Sequence, residues 1–190
     1  MQARLLVIIP LRLEHLAVRR HLAGALVLRS GMGAARARSA GLAAARIPAD
    51  ALAVVGFCGA VAEGLRAGDV VVASEVRGPD GVTECATGPV AEALAAVGVE
   101  RVHVGPVVSA DHVVHGPERA VLAAEGALAA DMESAWLAPG AAGRPFTVVR
   151  VVLDTSASEL RRPWALLSGA VAAWLALRRA APALALWARR

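Results

Sequence analysis

At 190 residues, 57% of them apolar, the chain is long enough to bury a continuous core, because the buried fraction rises with length, and it reads as one domain spanning 1–190. Only 3% of residues are aromatic, Tyr is absent, and the formal charge of +4 is carried by twenty Arg and no Lys. The Arg pairs (Arg19/Arg20, Arg161/Arg162, Arg178/Arg179, Arg189/Arg190) are scattered and lack interleaved aromatics, which argues against a nucleic-acid partner. Cys58 and Cys85 form no CxxC pair, so both thiols are expected free, as in a reducing, cytoplasmic setting. The N-terminus has no signal-peptide pattern. The apolar run Trp164–Leu177 falls short of a membrane span and is stopped by Arg178 and Arg179.

In chain order, Arg4–Ile9 reads as a buried first strand closed by Pro10, and Leu13–His21 as a helix with Glu14 in its first turn, where an acid offsets the helix dipole. Gly24 permits a turn into a second strand, Ala25–Arg29. Ser30-Gly31-Met32-Gly33 then leads into an Ala-rich helix ending near Arg46. Glycines at a strand-to-helix turn bring backbone close to a ligand or simply to the next helix. The turn lacks the Gly-Lys-Ser/Thr of a P-loop, and Arg36 stands where a dinucleotide fingerprint needs its third Gly.

Leu52–Val55 is a short strand broken by Gly56-Phe57-Cys58-Gly59, Val70–Ala73 a further strand, and Gly78–Gly88 a surface loop. Ala91–Val97 reads as helix, Arg101–Val108 as strand, Ser109–His115 as loop and Glu118–Gly126 as helix. Asp131, Met132 and Glu133 open a helical pattern continued by Ser134–Leu137 and closed by Pro139, Gly140 and Gly143. Phe146–Leu153 has the composition of a strand buried on both faces and delivers Asp154 at its C-terminal edge, where ligands sit in open α/β sheets. The alternation predicts a doubly wound, largely parallel sheet.

Four segments in this order, SGMG, VVGFCGAVAEGLRAGDVVVASEV, VVSADHVV, and ADMESA followed by VVRVVLD, resemble the purine nucleoside phosphorylase and methylthioadenosine/S-adenosylhomocysteine nucleosidase superfamily over nearly the whole chain. The compact length and the LEHLAVRRHL opening look most like the hopanoid-associated nucleosidases, which remove adenine from adenosylhopane. The resemblance implies a compact three-layer αβα fold with a mostly parallel to mixed sheet. It also implies cleavage of a purine N-glycosidic bond without cofactor or metal, and a homo-oligomer, expected as a dimer.

By that resemblance Asp154 protonates the leaving base at N7, Glu133 accepts from the sugar hydroxyls with Met132 packed on the ribose, and Glu14 activates water, with His15 one residue away as the alternative. Val113 and Val114 wall the purine, Ser30, Gly31 and Gly33 border the nucleophile side, and Phe57 occupies a small-residue position of the Gly-x-x-Gly turn. Leu153 stands where relatives carry Ser, and Val54 where phosphorylases carry an Arg for phosphate, which favours water over phosphate. Arg29 or Arg36 is left as a phosphate ligand from elsewhere. A phosphorylase, a futalosine hydrolase and a non-catalytic nucleoside-binding subunit are the alternatives. Shortened segments at Leu22–Ser30 and Gly78–Gly88 imply an open mouth for a lipid tail or a membrane surface, near Leu166, Leu167, Val171, Leu175, Leu184 and Leu186; core and dimer packing is the other use of those residues. Asp111 reads as a loop cap, His103 as a core histidine, and His112-x-x-His115 lacks the further ligands a metal needs.

Overall fold

A computed structural model describes residues 4–22, 24–156 and 163–189, without the side chains of 163–168. Its strands are β1 (Leu5–Ile9), β2 (Leu26–Arg29), β3 (Ala51–Ala60), β4 (Val70–Gly78), β5 (Gly81–Glu84), β6 (Val102–Ser109), β7 (Ala129–Asp131) and β8 (Phe146–Asp154). The helices are α1 (Arg12–Val18), α2 (Ala34–Ala45), α3 (Gly88–Ala96), α4 (Pro117–Ala124), α5 (Ser134–Leu137) and α6 (Pro163–Trp187), with a 3-10 turn at Ala138–Ala141.

The eight strands form one mixed sheet. β1 pairs β2 and β3 in parallel, β3 pairs β8 in parallel, and β4 pairs β6 in parallel. The β4–β8, β3–β7 and β4–β5 pairs are antiparallel, so the sheet is less uniformly parallel than the strand–helix alternation predicts. Because β6 also pairs β7, strands β3, β8, β4, β6 and β7 close on themselves into a ring. β1 and β2 extend it on one side and β5 on the other.

Alternating side chains of the central strands feed two cores. Leu5, Val7, Ile9, Val70, Val72, Val149 and Val151 pack with α1, α3 and α6, through Val18, Leu94, Leu177 and Leu184. Leu6, Ile8, Leu52, Val54, Val71, Val148 and Val152 pack with α2 and α5, through Ala37, Ala44, Trp136 and Leu137. This is the three-layer arrangement, and period-two alternation alone sends successive residues of one strand to opposite helix layers.

Three stretches differ from the sequence reading. Gly56 and Gly59 do not break β3, which runs on through both. A Cβ at Gly56 would lie 2.6 Å from Glu14 Oε1, and one at Gly59 would lie 3.0 Å from Asp154 Oδ1. These glycines therefore clear space for acids against a continuous strand. Gly78–Gly88 is no plain loop, since Gly81–Glu84 pairs antiparallel with the end of β4 as an exposed hairpin arm. Asp131 ends a strand before α5 begins, so the acids of ADMES lie between elements.

The C-terminal helix passes straight through Arg178, Arg179 and Pro182. By length and composition its Gly169–Trp187 portion is apolar enough to cross a membrane. Ala173, Leu177, Ala180, Ala181, Ala183, Leu184 and Trp187 are nonetheless buried in the first core, which makes that side a core face. Both cysteines are free.

Candidate active site

β1 ends at Ile9, and Pro10-Leu11 turns the chain into α1 so that Glu14 falls in the first helical turn, 2% exposed. Its carboxylate is held at both oxygens. Leu11 N–H donates to Oε2 at 2.6 Å and Phe57 N–H to Oε1 at 2.7 Å. Burial pushes the Glu14 carboxyl up to about 7, the Arg150 guanidinium and the two backbone donors opposing only in part. His15 is half-buried and, unlike Glu14, does not line the cavity.

The ADMES segment turns tightly after β7. Asp131 Oδ1 accepts from Glu133 N–H at 3.0 Å, Ser134 N–H at 3.1 Å and Ser109 Oγ at 2.6 Å, an Asx-type turn that caps the short α5. This turn presents Glu133, 5% exposed, towards α2's entry, where Gly33 N–H donates to Oε1 at 3.0 Å. Burial raises the Glu133 carboxyl, with Arg150 opposing.

Arg150 ties these acids together. It sits fully buried in the middle of β8, with Nη2 2.8 Å from Asp131 Oδ2, a charge contact without hydrogen-bond alignment, and 3.6 Å from Glu133 Oε2. It donates to Ser134 Oγ from Nη2 at 2.9 Å and to the Phe57 carbonyl from Nη1 at 3.3 Å. Burial would discharge this guanidinium, but Asp131, Glu133 and Glu14 outweigh it and hold its proton more tightly than usual. Burial likewise opposes the Asp131 carboxylate, yet Arg150 and the hydrogen bonds leave that carboxyl below its ordinary value.

At the other end Asp154 closes β8, 4% exposed, opposite Arg119 of α4, 3% exposed. Arg119 Nη2 donates to Asp154 Oδ2 at 2.5 Å and Nη1 to the Ala60 carbonyl at 2.7 Å.

One cavity of about 160 Å³ joins both ends, lined by Glu14, Glu133 and Asp154 with Met32, Phe57 and Met132 among its apolar walls. Val113 and Val114 also line it, as do Leu153, Arg119 and His112. The three acids far apart in sequence thus share one space. Cys58 lines it too, but burial pushes its thiol up, so it is no thiolate nucleophile.

The sequence profile of the phosphorylase superfamily matches residues 21–185. The chain belongs to the phosphorylase superfamily. Its fold is that of solved nucleosidases. The 5′-methylthioadenosine/S-adenosylhomocysteine nucleosidase of Streptococcus pneumoniae, bound to a transition-state inhibitor, superposes with TM-score 0.77 at 21% identity over 98% of each chain. The Neisseria meningitidis enzyme with methylthio-immucillin-A gives 0.77 at 21% over 98% of this chain and 99% of that one. The Streptococcus pyogenes S-adenosylhomocysteine nucleosidase with 5-methylthiotubericidin gives 0.77 at 21% over 98% and 96%. No curated protein sequence matches significantly.

In this superfamily member several expected residues fall elsewhere. Ser30 and Gly31 are outside the cavity, where Ser30 Oγ turns to its neighbour's carbonyl at 3.0 Å; only Met32 lines it and only Gly33 reaches an acid. Leu175 and Val171 are exposed on α6, Leu184 is core, and none of the three lines the cavity. The side chains of Leu166 and Leu167 lie outside the described residues. His103 is not a core residue, for its ring is 38% exposed and 3.1 Å from the buried carboxylate of Asp69. Asp111 is 78% exposed and pairs with His112 at 2.8 Å, while His112 also meets Glu118 at 3.0 Å.

Arg150, Asp131 and Arg119 escaped the sequence reading. Arg150 carried a signal, since a charge within an otherwise apolar, doubly buried strand needs a buried partner. Arg119 carried none, because its helix reads as an ordinary surface helix.

Proposed function

We propose that the protein hydrolyses the N-glycosidic bond of an adenine nucleoside. The carrying observation is that Glu14, Glu133 and Asp154 line one cavity, with the Glu14 carboxyl at about 7. Breaking this bond forms an oxocarbenium-like sugar, so the base needs a proton, the sugar needs hydroxyl contacts, and a nucleophile must approach from the opposite face. Glu14 is poised to take a proton from water near neutrality. Glu133, beside Met132, accepts from the sugar hydroxyls, and Asp154 at the far end delivers the proton to N7 of the leaving base. Phe57 and the Val113–Val114 pair supply apolar walls.

Water is favoured over phosphate because Val54 is wholly buried in the apolar core and Arg36 is exposed on α2. The apolar, exposed Met32 and Val113 at the cavity suit an apolar 5′ substituent, as in methylthioadenosine or a lipid-bearing adenosine. A homodimer belongs to the same proposal, with exposed Leu42 and Val82 beside Trp136 as its apolar face; light scattering at twice the 19.4 kDa chain mass checks it.

The test is chromatographic assay of free base from 5′-methylthioadenosine, S-adenosylhomocysteine, adenosylhopane and futalosine, with and without phosphate. Adenine release in phosphate-free buffer is the expected outcome. A strict phosphate requirement would replace hydrolysis by phosphorolysis, and no release from any of the four would sink the enzymatic reading.

A further inference from the structure

The least expected contact in the cavity is the one between Arg119 and Asp154. A guanidinium buried to 3% exposure is costly unless its charge and donors are matched, and here only part of that demand is met. Nη2 has the Asp154 carboxylate and Nη1 the Ala60 carbonyl, while Nε finds no acceptor among the described residues. A buried orphan donor costs stability, so the arrangement is poorly explained by stability alone. The surroundings are also shaped to the pair. A Cβ at Gly59 would stand 3.0 Å from Asp154 Oδ1 and 3.2 Å from Arg119 Nη2, so the pair fits against bare backbone of β3.

We infer that Arg119 is the positioning residue for Asp154, fixing the acid through Oδ2 and stabilising the negative charge that develops on it as its proton passes to the departing base. This rests on the reading of Asp154 as the proton donor. The carboxyl is gripped at Oδ2 by a guanidinium that is itself anchored on the Ala60 carbonyl in β3. In the step itself the carboxyl O–H bond of Asp154 breaks as N7–H forms, the glycosidic pair of electrons moves onto the purine, and Asp154 becomes a carboxylate. A guanidinium hydrogen bond is stronger to a carboxylate than to a neutral carboxyl. Arg119 therefore stabilises the transition state more than the bound substrate, which lowers the barrier without tightening substrate binding. The neighbouring Leu153 side chain offers no hydroxyl that could do this instead.

The experiment compares wild type, Arg119→Met, Arg119→Lys and Asp154→Asn on two substrates. One is 5′-methylthioadenosine, whose base needs a proton to leave; the other is p-nitrophenyl β-D-ribofuranoside, whose phenolate leaves without one. For Arg119→Met the purine kcat is expected to fall about 100-fold or more, the range of a general-acid contribution, with KM within about threefold. Cleavage of the p-nitrophenyl riboside should stay within about threefold, which also shows that the variant is folded, and Arg119→Lys should recover most of the loss. If Asp154→Asn abolishes purine release while Arg119→Met leaves it intact, the inference is wrong and the acid assignment stands. Equal loss on both substrates also overturns it, by revealing a structural role. Should Asp154→Asn keep full purine activity, the acid assignment itself falls, and this inference with it.

Discussion

Replacing Glu14 by Gln separates what its burial does to folding from what it does to chemistry. The carboxyl is raised from 4.5 to about 7, chiefly by burial. A folded state that holds a proton the unfolded chain has lost becomes less stable as pH rises. Below about pH 4.5 both states are protonated and nothing is lost; between about 4.5 and about 7 the destabilisation grows; above that range the native state carries the full cost of a buried carboxylate. At about 1.4 kcal/mol per tenfold, the gap amounts to about 3 kcal/mol, of which about 2.5 kcal/mol falls between about pH 5 and about pH 8. Gln cannot ionise, so this part of the pH slope should vanish in the variant. Part of the gain at high pH is offset, because the amide can accept only one of the Leu11 and Phe57 donors that Glu14 now satisfies, a loss of about 1 kcal/mol. Urea unfolding followed by Trp fluorescence at both pH values is the assay, and the differential shift in midpoint should be about 1 M. The slopes of Asp131 and Glu133 are common to both proteins and largely cancel. Parallel pH dependences for wild type and variant would refute the reasoning. On the proposed mechanism the same variant should hydrolyse its nucleoside about 100-fold or more slowly, since it lacks the proposed general base.

Arg150→Met strands Asp131, Glu133 and Glu14 around an apolar side chain, so a loss of about 3–5 kcal/mol and a fall in Tm of about 10 °C are expected; a melt within about 2 °C of wild type would show that the acids do not depend on it. Gly56→Ala places a Cβ 2.6 Å from Glu14 Oε1 and 2.7 Å from Arg150 Nη1, and should cost about 1–3 kcal/mol together with most of the activity. Gly88→Ala, with open space around its added Cβ, is the control and should leave activity unchanged. Asp154→Asn should lower kcat for purine release about 100-fold or more.

What the sequence made legible follows from which interactions are local. β8 declared itself because Phe146–Leu153 is apolar on both faces, and the turn at ADMES because polar residues interrupt the apolar pattern between two strands. Ring closure was hidden, since the β3–β7 and β6–β7 pairs join segments about 70 residues and about 20 residues apart through only two or three residues each, and no periodicity encodes such pairs. The glycines of β3 misled for a related reason. Read locally, Gly56 and Gly59 punctuate a strand; in space they are where the strand must be bare so that Glu14 with Arg150, and Asp154 with Arg119, can lie against it. Each glycine is thus paired with one acid and one arginine from a different element. That pattern bears on Leu153 and Phe57, two of the three departures from the family motif. Phe57 contributes its backbone N–H and carbonyl, to Glu14 and Arg150, functions that any side chain at this position would preserve. Leu153 removes a hydroxyl beside Asp154, and the acid is instead gripped from across the cavity by α4. Both departures thus leave the contacts of Glu14, Arg150 and Asp154 in place.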